Sequence, residues 1–222
     1  MSGGFPIDLI LFGMVAAFLV LRLRSVLGRR QGFERPPQEQ PVPAAGVPPV
    51  REPDPTTTLH GGSGSRQILP AGGSAPGQAL EEIRRTDPTF DPRAFLAGAE
   101  GAFGMVITAF AAGDRATLRN LLSDDTYAGF EQAITAREAA GEHQRTELRS
   151  IQEMAVEAAT LRGSIADITV RIVSDQVNLT TNSQNEVVAG TEAVTELTDI
   201  WTFQRDLRSS DPAWKLVATQ SA

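Results

Sequence analysis

Cysteine is absent from the 222 residues, and histidine occurs only twice, at His60 and His143. Without cysteine there is no disulfide, no thiol nucleophile and no thiolate metal site, and the redox compartment stays undecided. Two isolated histidines form neither a His-x-x-His pair nor an HExxH, so no metal site is expected. No glycine-rich loop runs on into Lys and Ser or Thr in phosphate-binding order. The run "GAEGAFG" sits inside a helical pattern with no strand before it, so it is not read as a dinucleotide fingerprint, and no cofactor is expected. Basic charge is scarce where it matters: residues 80–222 carry 13 basic and 22 acidic groups, a net of −9. Such a domain repels phosphate backbones, so no nucleic-acid partner is expected.

What is present begins with an apolar run. Residues 9–21 are thirteen uncharged, mostly apolar positions in "IDLILFGMVAAFLVLRLRSVLGRR". Counted from Phe5 the run has 17 residues, about 26 Å of helix against a hydrocarbon core of about 30 Å. Asp8 precedes it, and the membrane-proximal basic residues Arg22, Arg24, Arg29 and Arg30 follow it. A signal peptide has the reverse charge order. The positive-inside rule therefore predicts a single-pass anchor over residues 1–35, first residues outside and the C-terminal domain cytoplasmic.

A change of composition follows. Residues 36–79 hold ten prolines and seven glycines, too little apolar surface to repay the entropy of ordering. Residues 36–77 are read as a disordered Pro/Gly-rich linker and residues 78–222 as one domain. That domain opens with helices. The spacing predicts a short helix over 78–85, then a second helix capped by Asp91 with Pro92 in its first turn. Phe95, Phe103, Val106, Ile107 and Phe110, with Ala99, fall on one face of the second helix. Gly98, Gly101 and Gly104 line a neighbouring stripe, read as room for a close neighbour, with a mobile, detachable helix as the alternative. Asp114 and then Ser123 or Asp124 cap two further helices. Asp124 and Asp125 suit a helix N-terminus without any catalytic role.

From Thr146 the period changes to two. Strands are predicted near 148–160, 164–174, 191–207 and 213–220, with a short extended piece near 176–180. Helices followed by a sheet indicate an α+β fold. In the long strand, alternation places Asp199, Trp201, Phe203 and Arg205 on the more buried face. Trp214 and Leu216 alternate on one face of the last strand, after a turn at Asp211–Pro212. Trp201, Phe203, Trp214 and Leu216 are read as a pocket wall. Asp199 and Arg205 are either rim ion-pairing groups or the lip of that pocket. No catalytic residue is assigned.

The blocks "GAEGAFGMVITAFAAGDRATLRNLLSDDTYAGFEQAITARE", "GSIADITVRIVSDQ" and "DIWTFQRDLRSSDPAWKLVAT" together resemble the Tim44-like domain. The N-terminal run is similar to the anchor of bacterial members of that family. The resemblance implies an NTF2-like cone: helices packed on a curved antiparallel sheet of about four strands around an apolar pocket. It implies a non-enzymatic adaptor at the inner membrane, similar to the protein-translocation adaptor of mitochondria. Its partner would be a membrane protein or a translocated or assembling polypeptide, with anionic phospholipid as a further ligand and chaperone contact left open. Two alternatives stand beside this reading. One is an isomerase or dehydratase of the NTF2-like type using Asp199 as general base. The other is a structural scaffold of a membrane complex.

Overall fold

The computed structural model describes residues 65–221. The anchor over 1–35, with Arg22, Arg24, Arg29 and Arg30, and most of the linker lie outside the described residues. The domain runs β1 (Arg66–Ile68), α1 (Ala75–Thr86), α2 (Pro92–Ala112), α3 (Arg115–Leu121), α4 (Asp124–Ala139), β2 (His143–Arg162), β3 (Ile165–Thr181), β4 (Val187–Asp206) and β5 (Lys215–Ser221).

Local chemistry sets the helix ends. The side chains of Ser74, Asp91, Asp114 and Ser123 each accept a hydrogen bond from a first-turn backbone N–H, satisfying donors that the helix cannot. Asp91 holds the Ala94 N–H at 2.7 Å. Helix α2 stops at Gly113, whose φ of 72° is left-handed and costs glycine nothing. The Arg137 guanidinium then binds the freed carbonyls of Phe110 at 2.7 Å and Ala111 at 3.2 Å, pinning α4 to the end of α2.

The sheet has five strands in the order β1-β2-β3-β4-β5. β1 pairs parallel with β2, Arg66 opposite Glu153 and Ile68 opposite Ala155. The other pairings are antiparallel. This corrects the expected NTF2-like cone of about four curved antiparallel strands. The sheet is mixed and open, because its end strands β1 and β5 lie at opposite edges and do not close on each other. The extra strand comes from within the stretch read as linker. Neither flanking composition nor period marks it, and its conformation is fixed by pairing with β2.

The helices cover one face of the sheet. Leu96, Phe103 and Val106 of α2 and Ile168, Val170 and Ile172 of β3, all at most 1% exposed, belong to one core with Trp201, Phe203 and Leu216. Ile107 and Phe110 are only partly buried. By length and composition α2 is apolar enough to cross a membrane, yet its inward face belongs to this core. The glycine stripe is another correction. Among the described residues, a Cβ at Gly98 or Gly101 would meet nothing within 4 Å, and at Gly104 only Leu148 Cδ2 lies near, at 3.7 Å.

Candidate functional site

A cavity of about 370 Å³ opens where the start of α2 crosses the ends of β4 and β5. Its floor is aromatic. Phe95 packs on Trp214 at 4.9 Å and edge-on to Phe203 at 5.8 Å, and Phe90 lies 5.9 Å from Trp214. One wall is the line Ala94, Gly98, Ala102 and Met105 along α2, about 16 Å long at 1.5 Å per residue. Leu121 lines it from the end of α3. Ser123, the next cap, is tied to β5 through its N–H to the Leu216 carbonyl at 2.9 Å, which sets α3 against the last strand.

Arg205 is the cationic residue lining this cavity. Its Nη1 donates to Asp87 at 3.0 Å, both side chains being mostly buried, at 14% and 12% exposure. Asp87 ends α1 and begins the short loop that carries Phe90. The Thr89 hydroxyl, at 2.6 Å, and the Thr89 N–H, at 3.0 Å, also donate to Asp87. These bonds and the Arg205 charge hold the Asp87 carboxyl below the usual carboxylate range, against the opposing effect of burial. Arg205 Nε is buried and meets no acceptor.

The residues read as one pocket are thus divided. Phe203, Trp214 and Arg205 line the cavity together with Phe95 of the helix face. Trp201 and Leu216 lie deeper, 4% and 1% exposed, with the Trp201 ring tilted against Phe103 at 4.7 Å. Asp199 is not among the lining residues. It sits six positions from Arg205 on β4, about 20 Å along an extended strand, opposite Ser221 of β5. Phe90, Asp87, Leu121 and Met105 were not read from sequence as site residues. "TDPTFDP" carries Phe90 as a lone aromatic between two Asp-Pro pairs, the one signal that could have marked it.

Among the described residues, no three His, Asp or Glu side chains are grouped to hold a metal. The arrangement offers a concave apolar surface with one cationic group, suited to capture rather than to bond making. Asn178 is engaged in the sheet, donating to Gln176 Oε1 at 3.2 Å and accepting from Thr146 at 2.7 Å.

No curated protein matches the chain. The solved intermembrane-space region of the chloroplast protein ARC6 is similar to it at 12% identity, over 60% of this chain and 98% of that one, with a TM-score of 0.43. The model of the Tim44-like domain matches residues 77–221, about two thirds of the sequence, and the chain belongs to the Tim44-like domain family.

Proposed function

We propose that the protein is a membrane-tethered adaptor of the bacterial inner membrane, its domain cytoplasmic, that holds an apolar group of a partner in the cavity floored by Phe95, Phe203 and Trp214. The chain belongs to the Tim44-like domain family, and the reading assigns no residue a catalytic role. The single observation that carries the adaptor reading is the cavity itself: an aromatic cleft with a half-exposed methionine, Met105 at 50%, on its wall. An apolar surface left open on a folded domain marks a place of contact. The apolar run at residues 9–21, followed by arginines, supports tethering and the proposed orientation. A membrane protein or a polypeptide in transit or assembly fits this placement. A single acyl chain of a phospholipid is a second occupant of matching apolarity, and chaperone recruitment stays outside the proposal.

The test is crosslinking in membranes. A photo-crosslinking side chain at Met105 of the full-length chain is expected to label a defined partner. Labelling should fall at least tenfold in Trp214→Ala with the circular-dichroism spectrum retained, and the chain without residues 1–35 should leave the membrane fraction. Undiminished labelling in a folded Trp214→Ala protein would remove the cleft from the reading. Protease digestion of spheroplasts that reaches the domain would reverse the orientation.

A further inference from the structure

The cavity is apolar on nearly every side, yet it ends at an arginine whose donors are poorly used. Guanidinium carries five N–H donors in a planar fork that matches a carboxylate through two parallel bonds. Arg205 makes one such bond, to Asp87, and its buried Nε has no acceptor. A buried donor without a partner calls for an explanation. Asp91 is the other charged residue lining the cavity, and its carboxylate is committed to the N-terminus of α2 through Ala94 N–H. No acidic group within the cavity is therefore placed to complete Arg205.

We infer that the cavity takes a single-chain alkyl carboxylate, its chain along Ala94, Gly98, Ala102 and Met105 and its head on Arg205, with Asp87 as the internal carboxylate it displaces. The volume of about 370 Å³ lies at the low end of ligand pockets, which suits one chain rather than a two-chain phospholipid. Asp87 is held by Thr89 as well as by Arg205, so losing the arginine leaves it with other donors. Arg205 still faces one carboxylate after the exchange, while the displaced Asp87 keeps its charge on the Thr89 donors, so binding adds one negative charge to the site. The exchange also loosens the loop bearing Phe90, which is joined to β4 through the Asp87–Arg205 pair, so occupancy and loop position are coupled. The inference rests on the proposed cleft but adds a ligand class to it.

The experiment uses the full chain in phosphatidylcholine vesicles, with tryptophan emission read during titration by octanoate and by 1-octanol. The signal at the cavity is defined by its loss in Trp214→Phe. Octanoate is expected to bind at least tenfold more tightly than octanol. Arg205→Met should bring octanoate to the level of octanol. Asp87→Asn, which removes the internal competitor, should tighten octanoate at least threefold and leave octanol unchanged. If octanol matches octanoate, or if Asp87→Asn shifts both alike, anion recognition is wrong while the apolar cleft stands. If neither probe alters Trp214, both readings fall. Should Arg205→Met not fold, the Asp87→Asn comparison decides alone.

Discussion

Among the described residues the Asp199 carboxylate accepts one side-chain hydrogen bond, from the Ser221 hydroxyl at 2.9 Å, midway along β4 and away from the cavity. Burial pushes its carboxyl above the usual carboxylate range, and the Ser221 bond draws it only partly back. A folded pKa above the unfolded one means that the protonated form favours the fold. That contribution is complete below the unfolded value of about 4 and is lost as pH rises through the folded value. At neutral pH the half-buried charge therefore costs stability. Asp199→Asn keeps an acceptor for Ser221 and removes the charge. It is expected to raise Tm at pH 7 by about 2–4 °C, the shift for about 1 kcal/mol in a domain of this size. The gain should vanish near pH 4, which thermal melts across a pH series will show. A gain that persists in acid would mean that the charge is not its source.

Helix α2 carries a contrast between two glycines that look alike in sequence. Gly98 and Gly101 are both exposed, and neither leaves room for a neighbour that needs it. In a helix interior glycine costs about 1 kcal/mol relative to alanine, so either substitution should stabilise the fold by roughly that amount. Gly98 lines the cavity and Gly101 does not. Gly101→Ala is expected to raise stability with partner labelling intact, whereas Gly98→Ala should raise stability and weaken labelling at Met105. Equal effects on labelling would detach the cavity from the contact.

Strand β4 makes a second argument at its unpaired end. β5 covers it only from Asp199 to Gln204, and Val187, Val188 and Val194 stand about half exposed. Between Asn178↔Thr191 and Gln176↔Thr195, β4 spends three residues against one, a bulge. The Ala193 N–H is taken up by Thr191 Oγ1 at 3.2 Å. Bulges on open edges discourage pairing with other chains. Removing Ala193 and Val194 together keeps the facing alternation and straightens the edge. Concentration-dependent association in light scattering is the expected result.

The parts of the molecule that could be read from sequence are those fixed by near neighbours. Asp91, Asp114 and Ser123 are caps because the donors they satisfy lie three residues away, and Trp201 and Phe203 face inward because a strand alternates. The cavity was legible only in part. Phe203, Trp214 and Arg205 came from the period of the strands, but the opposite wall depends on where α2 and α3 cross them, which no local pattern encodes. The cone was an expectation of resemblance, and the pairing of β1 with a strand 87 residues on overturned it.

That pairing makes β1 part of the sheet. Arg66 and Arg171 both pair with Glu153, and Arg171 reaches Glu157 at 3.0 Å, so β1 enters an ion-pair chain across three strands. Ser65 Oγ binds Glu100 of α2 at 2.6 Å, and Leu69 packs on the core. We expect a chain starting at Ser65 to fold with the stability of the full domain, and one starting at Pro70 to melt lower by about 4 °C, from the lost ladder and Leu69 packing. The Arg66 bond first, and then Arg171, holds the Glu153 carboxyl below its usual range against burial. A lowered folded pKa gives stability that is present above the unfolded value and lost as pH falls through the folded one. Part of the gap between the two chains should therefore close in acid, leaving the share due to packing. A gap independent of pH would assign β1 to packing alone, and no gap at all would return Ser65–Leu69 to the tether.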